Sequence, residues 1–178
     1  MEAFEYLAKS CSEALAGITA EDRENLVSRI LSGKRIFIFG VGRSGLVGQT
    51  FAIRLVQLGL QVYFVGDMTT PIIEKDDVLI LISNTGNTMS VVKTAEIAQR
   101  LGTHVISITS DGKSNLAKKS DTVLKVCPRT DAEMREMAPL GTVFEDATLL
   151  FFDTVVPELM KKLGATEADM RNKHAIWV

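Results

Sequence analysis

The sequence predicts an α/β fold: a three-layer sandwich in which a five-stranded parallel sheet is flanked by helices. Three observations predict it. From residue 34 onward, short apolar runs alternate with longer segments of helical periodicity. Two of those runs, Val78-Leu79-Ile80-Leu81-Ile82 and His104-Val105-Ile106-Ser107-Ile108, are apolar on both faces, as strands are when helices cover both sides of a parallel sheet. Loops rich in glycine or hydroxyls follow two of the strands and open the next helices, at residues 40–45 and 83–88.

The elements follow in order. Residues 3–16 place Phe4, Leu7, Ala8, Cys11, Ala14 and Leu15 at helical spacing. Thr19 then reads as an N-cap, with Asp22 three residues later and Leu26, Val27, Ile30 and Leu31 as the apolar face. Residues 34–39 are short, β-branched and aromatic and stop at a glycine, which predicts a buried strand. Helix is expected over 44–58, strand over 61–65 and 77–82, helix over 87–101, strand over 104–108, a short helix over 113–118 and a last strand over 121–126. Residues 128–141 read as a polar connection with a helical turn at 131–135. The helix expected over 142–163 is apolar nearly all round, so it needs burial on more than one side. Gly164 ends it, Thr166 opens a final short helix, and residues 174–178 form the tail.

At 178 residues the chain has the length of one domain. Its parts are N-terminal helices over 1–32, an α/β core over 33–127, and a connection, long helix and tail over 128–178. Twenty basic against 22 acidic side chains leave a formal charge of -2, which disfavours nucleic acid or an anionic membrane as partner. Cys11 and Cys127 show no metal-ligand spacing and no disulfide framework, so no metal is expected and a cytoplasmic setting is. The first six residues carry acid where a signal peptide carries base, and no apolar stretch approaches the ~18 residues of a membrane span. The Glu74-Lys75-Asp76-Asp77 run reads as a solvated turn. A second copy of the chain covering the long helix makes a homo-oligomer, dimer or tetramer, the expected state.

Two loops carry the chemistry. Gly40-Val41-Gly42-Arg43-Ser44-Gly45 has the spacing of a dinucleotide-binding turn, and Asp67 ends the next strand where a ribose-binding acid would stand. A nicotinamide-binding protein is therefore one reading, and tight strand-to-helix packing is another. Ser83-Asn84-Thr85-Gly86-Asn87-Thr88 sets three hydroxyls and several backbone N–H groups at a positive helix terminus, the chemistry of a phosphate cradle. A plain hydroxyl-rich N-cap has the same composition. Two such loops at the carboxyl ends of adjacent strands favour an anionic ligand smaller than a dinucleotide.

With Ala138-Pro139-Leu140-Gly141-Thr142-Val143-Phe144-Glu145 opening the long helix and Met170 and His174-Ala175 near the end, the chain resembles the sugar isomerase (SIS) family of phosphosugar-binding domains. Within that family it is similar to the 6-phospho-3-hexuloisomerases. The resemblance spans nearly the whole chain and implies a flavodoxin-like strand order. Asn84, Thr85 and Asn87 stand where the family's phosphate loop has Gly, Ser and Glu, and Ile176-Trp177-Val178 replaces its Asn-Leu-Glu ending.

The activity implied is interconversion of 3-hexulose 6-phosphate and fructose 6-phosphate through an enediol, with no cofactor. Such a reaction needs a phosphate anchor, a base that reaches two neighbouring carbons, and donors for the developing oxyanion. Gly42, Arg43, Ser44, Ser83, Asn84, Thr85, Gly86, Asn87 and Thr88 form the expected binding set for a sugar phosphate. The resemblance assigns Glu145 as base and gives His174 a catalytic role, in its own or a neighbouring subunit. By its residues alone, Glu145 also completes a capping box with Thr142, and His174 also reads as a solvated tail residue. His104 opens an apolar strand and reads as structural. A phosphosugar-sensing domain without chemistry is the remaining alternative.

Overall fold

Alternation along the strands divides the core in two. In the computed structural model, which describes residues 2–174, β1 (Ile36–Gly40), β2 (Val62–Phe64), β3 (Val78–Ile82), β4 (His104–Thr109) and β5 (Thr122–Lys125) form one sheet. Its order is β2-β1-β3-β4-β5, and every pairing is parallel. Ile36, Ile38, Val78, Ile80, Ile82, Ile106 and Ile108 point to one face, and Phe37, Leu79, Leu81 and Val105 to the other. The two-faced apolarity expected of β3 and β4 is thus real: all five residues of β3 are buried.

The helices are α1 (Glu2–Leu15), α2 (Ala20–Ser32), α3 (Arg43–Gln57), α4 (Met89–Leu101), α5 (Ala132–Met137), α6 (Thr142–Leu163) and α7 (Glu167–Asn172). The larger core joins α1, α2, α3, α6 and α7 to one face of the sheet, while α4 and a 3₁₀ turn at Ala117–Lys119 cover the other. Phe51 of α3 and Phe152 of α6 stack in parallel with centroids 4.1 Å apart, fastening the long helix to the layer beneath it. The second side that α6 needs is supplied largely by α1, α2 and α3 of the same chain, with Leu150 left half exposed.

Local signals held where a side chain closes a backbone bond. Thr19 and Asp22 make the expected capping box, and Thr166 and Asp169 make another at α7. They failed where loops intervene. α4 begins at Met89 rather than 87, because Thr88 stays extended as N-cap. Only the single 3₁₀ turn forms from residues 113–118 onward, with Ser114 Oγ accepting from Ala117 N.

Asp77 departs from the solvated turn expected of it. Its carboxylate is buried and accepts a fork from Arg35 (Nε 2.9 Å, Nη2 2.6 Å) and the Glu74 N–H at 2.7 Å. Burial alone pushes this carboxyl up, but the Arg35 fork and the Glu74 N–H bring it below its ordinary value of 3.8. A group lowered in the fold stabilises above its unfolded value and loses that contribution as pH falls through the folded value. Asp77→Ala leaves the half-buried Arg35 with only the longer Glu74 contact at 3.4 Å and the Ile72 carbonyl, so it should cost about 2 kcal/mol near pH 7. Denaturant titrations from acid to neutral pH should show the gap to wild type closing as pH falls; a constant gap would contradict this role.

Candidate functional site

β1 and β3 are neighbours in the sheet, yet their following helices lie on opposite faces, so the chain diverges between them. The crevice at such a switch point, outside the carboxyl ends of the strands, is where open α/β sheets hold ligands. Both predicted loops open onto it.

The first loop is a steric solution. A Cβ on Gly45 would lie 2.5 Å from the Gly40 carbonyl oxygen, and one on Gly40 would lie 2.9 Å from Gly45 N. Only bare backbone lets α3 start so close to the end of β1. Gly42, at φ 61°, turns the chain between them and is the N-cap of α3, with no side-chain cap. Ser44 is buried in the first turn, and Arg43 projects outward.

The second loop is held from behind. The Asn84 carbonyl accepts from Ser110 N at 2.9 Å, Ser110 Oγ at 2.8 Å and Thr109 Oγ1 at 3.0 Å, all at the end of β4. Leu116 N donates to the Gly86 carbonyl, and Asn115 N to Asn87 Oδ1. Asn87 also donates from Nδ2 to the Thr85 carbonyl, so both ends of its carboxamide are spent within the protein and it serves as a clamp. Ser83 Oγ and Thr88 Oγ1 lie 3.2 Å apart, and α4 starts with no side-chain cap. Its first-turn N–H groups have no partner within the helix and face the crevice with the positive end of the dipole, as an anion site requires.

The third component comes from α6. Its N-cap is Gly141, while the Thr142 hydroxyl donates to the Pro139 carbonyl at 2.7 Å. The capping box open to Glu145 is therefore not made, and its carboxylate is available. A Cβ on Gly141 would stand 3.3 Å from both Asn84 Nδ2 and Glu145 Oε1, so the carboxylate and the second loop converge on that glycine. Arg43 Nε pairs with Glu145 Oε2, and Arg43 Nη2 lies 3.4 Å from Asp146 Oδ1. The Glu145 side chain is 12% exposed and that of Arg43 60%. The Glu145 carboxylate, first by its hydrogen bond and then by its charge, raises the guanidinium further above its ordinary value. Leu140, the one non-glycine residue with positive φ among the described residues, forms the turn that enters α6.

His174 is placed elsewhere within the chain. It follows α7, and the neighbouring Lys173 ammonium packs where a Cβ on Gly59 would be, just past the end of α3. Arg43 lies at the opposite end of that 15-residue helix, about 20 Å away at ~1.5 Å per residue. Within the chain, His174 is thus set apart from Glu145. Residues 175–178, including the Ile176-Trp177-Val178 ending, lie outside the described residues. His104 bonds Thr122 Oγ1, and burial lowers its pKa, as a structural histidine would show. Sequence reasoning missed Asp146, Thr109, Ser110 and Ser114. The signal for the hydroxyl clamp was the Thr109-Ser110-Asp111-Gly112 run that ends β4 and begins the turn after it.

The sequence profile of the SIS domain matches residues 29–150, a stretch that includes both loops and Glu145. The chain belongs to the SIS domain family. Among its relatives, a protein named 3-hexulose-6-phosphate isomerase from Methanocaldococcus jannaschii is 41% identical over 151 residues, covering 85% of this chain and 81% of that protein. One of the same name from Bacillus subtilis is 34% identical over 182 residues, covering 98% of each. A solved structure of a hypothetical protein from Methanococcus jannaschii, described as inferring a 3-hexulose-6-phosphate isomerase function, superposes with a TM-score of 0.90 at 35% identity over all of both chains.

Gly86 tests the cradle. Its φ is 62°, and an added Cβ would stand 2.5 Å from Ser114 Cβ. Gly86→Ala should therefore weaken inorganic phosphate binding by roughly tenfold, equivalent to about 1.4 kcal/mol, while the far-UV circular dichroism is kept. Unchanged phosphate affinity by calorimetry would show that the loop does not hold the anion.

Proposed function

We propose that this chain is a phosphosugar isomerase that interconverts 3-hexulose 6-phosphate and fructose 6-phosphate. The observation that carries the reading is the convergence of Arg43, the 83–88 loop and the Glu145 carboxylate at one rim of the sheet. The full-length relatives named for this activity support the choice of sugar.

The phosphate binds at the N-terminus of α4, taking the Ser83, Thr85 and Thr88 hydroxyls and the loop N–H groups. Its two negative charges favour the positive helix end, and the rest of the sugar is directed toward Gly141 and α6. Ser44 contributes from the first turn of α3. Glu145 then takes the proton from C2 of the 3-hexulose. The C–H electron pair forms the C2–C3 double bond as the C3 carbonyl oxygen becomes an enediolate. Arg43, charged throughout, offers its N–H groups to that oxygen. Transfer of the C2 hydroxyl proton to the C3 oxygen, and return of the proton from Glu145 to C3 as the C2 carbonyl forms, give fructose 6-phosphate. Both carbons neighbour one another, so one carboxylate serves both transfers. The steps consume no electrons from outside the sugar.

His174 enters from a second copy of the chain. Exposed Leu46, Ile53 and Val56 lie along one face of α3, and half-exposed Leu150 lies on the adjoining α6. This apolar surface favours a homo-oligomer, a dimer or tetramer, in which α7 of one protomer approaches the site of its partner. There the imidazole would move protons between sugar oxygens near neutral pH. The two free cysteines are in keeping with a cytoplasmic setting, and no helix among the described residues is long and apolar enough to cross a membrane.

Glu145→Gln keeps size and hydrogen bonding but removes the base. Turnover of fructose 6-phosphate should fall by ~10²–10⁴-fold while calorimetric binding of the sugar phosphate persists. His174→Asn should also slow turnover, and re-assembling mixed oligomers of the two variants should regain part of the activity. Near-normal turnover of Glu145→Gln would remove Glu145 from its role, and no recovery on mixing would place His174 outside the partner's site.

A further inference from the structure

Arg43 stands between two carboxylates, and only one of them has a place in the reaction above. Glu145 and Asp146 are consecutive on α6. The guanidinium reaches both, through Nε to Glu145 and through Nη2 to Asp146 at 3.4 Å. Their settings differ. The Glu145 side chain is 12% exposed and turned toward the phosphate loop at Gly141, whereas that of Asp146 is 41% exposed at the outer edge. The buried Cys11 thiol on α1 also senses Asp146: burial first and the Asp146 charge second push it up. Among the described residues, Arg43 is the cation within ion-pair distance of Asp146.

The proposed proton transfer disturbs this arrangement. While Glu145 holds the substrate proton it is neutral, and its attraction for Arg43 is lost at the step when the guanidinium is needed beside the enediolate. Arg43 is 60% exposed and carries a long flexible side chain, so water competes for it. Asp146 takes no part in the proton transfer and holds the far nitrogen of the fork.

We propose that Asp146 is a positioning residue: it anchors Arg43 by Nη2 so that the guanidinium stays at the rim of the site while the Glu145 carboxylate engages the substrate and loses its charge. This rests on the isomerase reading for its consequence in turnover. The anchoring itself is a property of the free protein. Sequence position gives the pair its geometry, since successive residues on a helix point ~100° apart and one guanidinium meets both through Nε and Nη2.

A double-mutant cycle tests it. In the wild-type background, Asp146→Asn should lower kcat for fructose 6-phosphate by roughly tenfold, equivalent to about 1.4 kcal/mol, and change KM by less than about twofold. Asp146→Glu should restore most of the rate. In an Arg43→Ala background, Asp146→Asn should have no further effect, because Asp146 acts only through Arg43. In the free protein carrying Glu145→Gln, where the base is neutral, the ¹⁵N-detected Nε–H signal of Arg43 should broaden toward that of solvent-exposed arginines when Asp146→Asn is added and recover with Asp146→Glu. Additive losses in the cycle, or an Arg43 signal unmoved by Asp146→Asn, would overturn the proposal. The spectroscopic arm needs no turnover, so a wild-type protein inactive on fructose 6-phosphate would defeat the isomerase reading and still leave the anchoring to be judged.

Discussion

The Asn84 carbonyl is the small interaction on which the site depends. Three donors at the end of β4, one backbone and two hydroxyl, converge on this one oxygen. With the loop drawn back onto β4, Gly86 is pressed against Ser114 in a left-handed conformation, and the N-terminus of α4 is left open toward the crevice. The proposed anion site is thus made of backbone whose position is set by the neighbouring strand. Such preorganisation spares the ordering that a mobile loop would cost on binding.

The same economy appears where α6 meets the rim. Gly141 admits both Asn84 and Glu145 to the space its missing side chain leaves, and Gly40 and Gly45 bring the start of α3 close enough for Arg43 to reach the α6 carboxylates. The large core beneath, including the Phe51–Phe152 stack between α3 and α6, is what makes those approaches reproducible. A carboxylate paired with a guanidinium in the resting protein is a guarded base. In the proposed reaction, the cation that guards it becomes the partner of the enediolate oxygen as negative charge moves from the side chain to the sugar.

Much of this was legible in the sequence because it follows from short-range rules. Strand identity followed from the unbroken apolar runs of β3 and β4, and Thr19-Asp22 closed the cap its spacing required. Glu145 was harder. Its spacing from Thr142 matches a capping box, and only the tertiary fold shows Thr142 bonded to Pro139 and Glu145 turned to Arg43, more than a hundred positions earlier in the chain. Asp77 was misread for the same reason, since its partner Arg35 lies on the neighbouring strand side of the sheet rather than next to it in the chain. Asn87, whose family counterpart is an acid, proved to clamp the loop through both ends of its amide. His174 is not explained by the single chain, which holds it at the far end of α3 from the carboxylate.

Hydrogen exchange at carbon probes the central claim most directly. Fructose 6-phosphate incubated with the protein in heavy water and followed by NMR reports which C–H bond the base reaches when the phosphate is seated. A carboxylate placed for a 2,3-enediol predicts deuterium entering at C3, at a rate that follows occupancy of the phosphate loop. Deuterium entering only at C1, or no exchange at any carbon while the sugar phosphate is bound, would contradict the account.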